Sequence, residues 1–163
     1  MTPIRPASAG GWHRLEAGSP VEIVERGGGV TRQEFDDRGH LVRRTTPSGA
    51  VFTVSWDGAD RVVTVTAAGA ETRFTYLGAE RIPSEIVDPE GGVTRLQVSG
   101  GLVQAVTDPD GVTVRLRHDG DGHLVEAVDA AGGVARIDRD PAGLPVAVVT
   151  PAGRRTEVVH DGH

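Results

Sequence analysis

The chain of 163 residues has no cysteine, lysine or asparagine, and only 4% of it is aromatic. Without cysteine there can be no disulfide and no thiolate metal site, and the redox compartment is left open. Few aromatic residues, set against 23 glycines and 10 prolines, mean that any core must be thin and built from Val, Leu, Ile and Ala. Positive charge is also in deficit: the formal net charge is -6. This weighs against a nucleic-acid binder, which needs a basic stripe to track phosphates. No run approaches 18 apolar residues, so no helix spans or inserts into a membrane. Met1 to Pro6 lacks the apolar centre of a Sec-type signal, so the chain carries no such address of its own.

What is present is a repeat. Starting each unit on a glycine selects Gly28, Gly49, Gly69, Gly91, Gly111, Gly132 and Gly153, at intervals of 21, 20, 22, 20, 21 and 21 residues. A fixed period of this size marks an architecture in which each unit covers its apolar face by lying against the next. Three, five and seven residues after the glycine stand mostly apolar residues: Phe52, Val54 and Trp56; Thr72, Phe74 and Tyr76; Thr94, Leu96 and Val98; Val114, Leu116 and His118; Ala135, Ile137 and Arg139; Thr156, Val158 and His160. The positions between them are polar except Val159. Alternation with period two, in phase across six copies, predicts half-buried strands.

The second strand of each unit begins with apolar residues on both faces, as in Leu41-Val42, Val62-Val63 and Leu124-Val125, so its register stays open and a bulge near each turn is one solution. Hairpin turns read Asp36-Asp37-Arg38-Gly39, Asp57-Gly58-Ala59-Asp60 and Asp119-Gly120-Asp121-Gly122, where Asp and Gly accept positive φ. Turns between hairpins read Pro47-Ser48-Gly49, Pro89-Glu90-Gly91, Pro109-Asp110-Gly111 and Pro151-Ala152-Gly153. The expected fold is all-β: about seven tandem hairpins of ~21 residues in one twisted, curling antiparallel sheet. Residues 1–20 read as a Pro/Gly-rich linker or worn hairpin, and residues 21–163 as the array, with Val21 to Glu25 as the last strand of a preceding unit. Pro83 predicts an edge strand or bulge in the third copy. The seventh copy stops before its second strand, which leaves an open edge for pairing with another chain.

Phe35-Asp36-Asp37-Arg38-Gly39-His40-Leu41 followed by Pro47-Ser48-Gly49 resembles the tyrosine-aspartate (YD) repeat of the Rhs family: aromatic, Asp, two variable residues, Gly, a variable residue, Leu, then Pro-x-Gly. Trp56-Asp57, Tyr76, His118-Asp119 with Gly122 and Leu124, and Asp140 with Gly143 keep parts of the pattern, whereas Leu77 replaces the aspartate of the third copy. The resemblance implies a short member of a family of large secreted or surface bacterial proteins, some of them polymorphic toxins, whose repeats form a spiralling β-shell around a toxic domain. About fourteen strands at roughly 4.8 Å each give a strip on the order of 65 Å, too short to enclose a folded toxin. The expected role is therefore a non-catalytic shell segment, with other Rhs-like repeats or a toxin domain as partners, and secretion or the cell surface as its place.

Four groups of residues are candidate sites. Asp140-Pro141-Ala142-Gly143-Leu144 resembles the Asp-Pro-x-Gly-Leu motif linked in toxin members to self-cleavage; Asp138 or Asp129 is the partner carboxylate available to Asp140. His118-Asp119-Gly120-Asp121-Gly122-His123 and His160-Asp161-Gly162-His163 have cation-like spacing, but lack the closing acidic ligand of a calcium loop, so turn chemistry is favoured and no metal or cofactor is expected. Trp56, Phe74 and Tyr76 share the phase of Val54 and Leu96 and read as core rather than as a sugar-stacking face. Arg73, Arg95, Arg115, Arg117 and Arg136 form an outward row, either a solvated face or a ladder for an acidic polymer or cell-surface glycan. The alternative function class is accordingly a carbohydrate or cell-surface binding module, and the third an aspartyl self-cleaving unit at Asp140.

Overall fold

The structure is a computed structural model that describes residues 21–24 and 26–158. The expected N-terminal linker at residues 1–20 and the His160 to His163 segment lie outside the described residues. Fourteen strands follow: β1 (Val21–Val24), β2 (Val30–Phe35), β3 (Leu41–Thr45), β4 (Val51–Trp56), β5 (Val62–Ala67), β6 (Ala70–Thr75), β7 (Glu85–Val87), β8 (Val93–Ser99), β9 (Leu102–Thr107), β10 (Thr113–His118), β11 (Leu124–Val128), β12 (Val134–Arg139), β13 (Pro145–Val149) and β14 (Arg155–Glu157). They stand in one sheet in sequence order, and no helix occurs among the described residues. Two compact units divide the chain, one ending at Glu71 and one starting at Thr72.

In the first unit β1 to β5 pair antiparallel, each with the next. The open register of the second strands is resolved here. Glu34 lies opposite Arg43 but Phe35 opposite Leu41, so Val42 is an extra residue. Ser55 faces Thr64 while Trp56 faces Val62, which makes Val63 the extra residue of the next hairpin. Residues paired across a ladder share a face. The bulge therefore lets Leu41 join the apolar face beside Phe35 while Arg43, two residues on, joins the polar face beside Glu34. Without it, strict alternation would place both on one side.

The second unit repeats this design. Register shifts make Gln104, Val125 and Val146 the extra residues of β9, β11 and β13. The third copy departs from it. Pro83 is in neither an edge strand nor a ladder bulge: it lies before β7, which is cut to three residues and stands between β6 and β8. Proline has no amide to donate, so the chain pairs only from Glu85 onward, with Ser84 N bonded to Thr75 O at 2.8 Å as the last link.

Burial follows the expected alternation. In β8 and β10, Leu96, Val98, Val114, Leu116 and His118 are half-buried, and Arg95, Gln97, Arg115 and Arg117 exposed. Yet only Thr31, Ala105 and Ala147 among the described residues are fully buried, and Phe52 is 39% exposed. Side chains in this sheet are covered by their neighbours along and across the ladder. A second layer, the usual partner of an apolar sheet face, is absent from the described residues.

Candidate functional site

The most regular chemistry sits in the turns. Asp119 Oδ1 accepts hydrogen bonds from the amides of Asp121 (3.0 Å) and His123 (2.9 Å), Gly122 N donates to Asp119 O, and Asp119 N donates to His123 O. Asp36, Asp57, Asp88, Asp129 and Asp140 clamp the amides two and four residues on in the same way. Thr46 and Thr150 use a hydroxyl on the amide four residues on. Most turns within and between hairpins, which differ in the sequence, are thus one five-residue device with Asp or Thr first and a positive-φ residue fourth; the links from β5 to β6 and from β8 to β9 are shorter. In the turns within hairpins the glycines that take this conformation in fourth place are Gly39, Gly122 and Gly143, not Gly58 or Gly120, and in the second hairpin the fourth residue is Asp60; between hairpins they are Gly49, Gly91, Gly111, Gly132 and Gly153.

Three of the aspartate turns add a basic residue in fifth place that meets the aspartate's other oxygen. His40 Nδ1 lies 3.0 Å from Asp36 Oδ2, Arg61 Nε donates to Asp57 Oδ2 at 2.8 Å, and His123 Nδ1 lies 3.3 Å from Asp119 Oδ2. Each carboxyl is held below its ordinary range. For Asp36, partial desolvation works to raise it, but is outweighed by the His40 ring and the amides of His40 and Arg38. Asp57 follows the same balance, with desolvation opposed by the Arg61 amide and guanidinium and the Ala59 amide. For Asp119 the His123 amide dominates over desolvation, helped by the Asp121 amide and the His123 ring.

The aromatic place of the repeat has a definite task. Trp56 Nε1 donates to Leu41 O at 3.0 Å, fifteen residues back, next to the bulge. Arg139 stands in the same place and donates from Nε and Nη2 to Leu124 O, again fifteen residues back, at 3.3 and 3.0 Å, and from Nη1 to Gly143 O at 2.8 Å. The guanidinium therefore substitutes for the indole as a flat donor to the same carbonyl. His118, also in this place, has a buried Nδ1 without a partner.

The remaining sequence candidates fall as follows. Asp140 Oδ1 is held by the Ala142 and Leu144 amides, Asp138 pairs with Arg155, and Asp129 is clamped in its own turn. Asp119, Asp121 and His123 bring potential ligand atoms within 4.8 Å of one another, and Asp119 and His123 among them also serve the turn. Trp56 is half-buried, opposite Val62, and Phe74 opposite Ile86. On the polar face Arg95 pairs with Glu85 at 3.4 Å, and Glu126 receives both Arg117 and Arg136 at 3.3 Å. Arg73 faces Val87, and Arg115 lies exposed between Ala105 and Val128. Sequence reasoning missed Arg38, His40, Asp60 and Arg61; for His40 and Arg61 the signal was an acidic residue four places earlier, and for Arg38 and Asp60, which meet across two turns, there was none.

Comparison with known proteins agrees with this architecture. The family model described as RHS Repeat matches residues 35–72 and 99–134. The chain is 33% identical over 116 residues to a probable deoxyribonuclease RhsB of Dickeya dadantii (strain 3937), covering 69% of this chain and 8% of that protein. It is 31% identical over 134 residues to a double-stranded DNA deaminase toxin A of Burkholderia cenocepacia (strain H111), covering 82% of this chain and 8% of that one. Among solved structures, the TcdB2-TccC3-TEV crystal structure and a Photorhabdus luminescens Tc holotoxin pore each match with a TM-score of 0.54 and 17% identity, over 81% of this chain and 8% of theirs. The chain thus spans about 8% of the length of these relatives, and the structural likeness speaks for the fold alone. Recurrent hairpins closed by an aspartate clamp, matched in two places by that family model, make this chain a member of the Rhs repeat family.

Proposed function

We propose that the chain is a non-catalytic wall segment of a larger secreted or surface-exposed, toxin-associated Rhs protein, where it serves encapsulation or surface contact. The observation that carries this reading is the single sheet in sequence order, whose apolar side chains are only half-buried. Such a face suits a wall that meets other repeats or a toxin domain, and among the described residues the carboxylates of Asp36, Asp57, Asp119 and Asp140 are engaged by the amides of their own turns. The activities named for the relatives belong to proteins of which this chain covers a small share. Exposed Phe52 favours the second reading, a carbohydrate or cell-surface binding module.

Three measurements separate the readings. A wall segment binds a hydrophobic dye through its apolar face, with an emission increase that falls when neighbouring repeats are joined to it. An increase unaffected by those neighbours would count against the wall. Intact mass near pH 5 stays unchanged for the native protein and for Asp140→Ala; loss of a fragment from the native protein alone would establish self-cleavage. Retention on glycan or cell-wall material is absent for the wall segment; retention lost in an Arg73→Ala, Arg95→Ala, Arg115→Ala triple variant would establish the binding module.

A further inference from the structure

In every other five-residue turn with a positive-φ fourth residue, that residue is glycine, with φ from +78° to +89°; in the turn after β4 it is Asp60 at φ +59°. Aspartate accepts this region at a backbone cost that glycine avoids, a cost its side-chain contacts can offset. Its Oδ1 accepts from Arg38 Nη1 at 2.8 Å and lies 3.5 Å from His40 Nε2, both belonging to the turn after β2. The other ring nitrogen of His40 lies 3.0 Å from Asp36 Oδ2, and the ring stacks on Trp56 with centroids 4.5 Å apart and planes at 19°. His40 is thus fixed between two carboxylates from successive hairpins, with its side chain 18% exposed.

A neutral imidazole has one N–H and can serve only one of those carboxylates; its lone pair then faces the other. An imidazolium presents an N–H to each, hydrogen-bonding Asp36 at 3.0 Å and pairing with Asp60 at 3.5 Å. The charges around it agree: Asp36 and Asp60 contribute two negative, Arg38 one positive, and Asp57 and Arg61 of the same turn neutralise each other. A proton on His40 balances the group, and its loss leaves one negative charge in excess. We propose that His40 is a proton-operated latch joining the turn of the first full hairpin to that of the second, closed in the doubly protonated ring and loosened in the neutral one. His123 is the internal contrast: it meets its own Asp119, but on its other side a Cβ added to Gly143 would lie 2.8 Å from its Cε1, and glycine offers it no second carboxylate.

The test is a double-mutant cycle on the thermal midpoint of the whole chain, with His40→Gln, Asp60→Gly and the pair, at pH 5.5 and pH 8, a range in which histidine changes charge. Asp60→Gly relieves the backbone and should fold; Asp60→Asn, which removes the charge but tolerates the same φ, repeats the cycle. The latch gives non-additive midpoints at pH 5.5, by about 2 to 4 °C, and additive ones at pH 8. Additivity at both values, or equal coupling at both, overturns it.

Discussion

Asp119-Gly120-Asp121-Gly122 allows one substitution to be tried twice in one loop with opposite outcomes. Gly122 has φ +86°, whereas Gly120 is not in the positive-φ region and a Cβ there meets nothing within 4 Å. Gly122→Ala forces an L-residue into the left-handed region, at about 1–2 kcal/mol. The added methyl itself fits, since its nearest neighbour would be Leu102 at 3.7 Å, so the cost is backbone strain and not collision. Gly120→Ala instead removes freedom from the unfolded chain and stabilises by about 0.4–1 kcal/mol. The two variants should differ by about 1.4–3 kcal/mol, or roughly 3 to 12 °C in thermal midpoint for a chain of this size. Circular dichroism on heating, with urea unfolding to confirm equal slopes, reads the difference. Equal shifts, or a larger loss for Gly120→Ala, would refute the assignment of the fourth turn residue as the strained one.

Other outcomes follow from the same geometry. Ala68 has φ +51°, so Ala68→Gly should raise stability by about 0.5–1 kcal/mol, the strain relieved exceeding the added chain entropy; chemical denaturation checks it. Arg139→Leu should cost about 1.5–3 kcal/mol by leaving Leu124 O and Gly143 O without their charged donor, while Arg139→Trp, restoring the donor seen at Trp56, should lose less; equal losses would deny that the place is defined by its hydrogen bond. Asp36, Asp57 and Asp119 have folded-state carboxyl values below those of the unfolded chain, so their contribution is complete above about pH 4 and is lost as pH falls through the depressed values. Stability measured from pH 5 to pH 2 should therefore decline less steeply in an Asp36→Asn, Asp57→Asn, Asp119→Asn variant than in the native protein.

The extent to which the site could be read from the sequence differs from residue to residue. Asp36, Asp119 and Asp140 were legible as turn residues because a short polar side chain before a glycine has few other local uses. Their clamp on two amides was only implicit, since one hydrogen-bond pattern is shared by Asp-Asp-Arg-Gly and Asp-Pro-x-Gly. Arg139 read as a departure from an aromatic pattern, and its chemistry became clear only when Leu124 O was brought to it across the ladder. In Asp57-Gly58-Ala59-Asp60 the sequence leaves open which residue takes the positive φ, since Asp and Gly both accept it; the chain gives that conformation to Asp60, beside Arg38 and His40.

The amino-acid order determined the strands, their spacing and the polar and apolar faces, because period-two alternation and punctuation by Asp, Pro and Gly act within a few residues and repeat in phase. Tertiary structure decided which second-strand residue is squeezed out as a bulge, because the choice depends on how two strands share hydrogen bonds rather than on either strand's composition. It also decided that His40 lies between Asp36 and Asp60, an arrangement joining residues of two different turns that exists only once successive hairpins lie side by side.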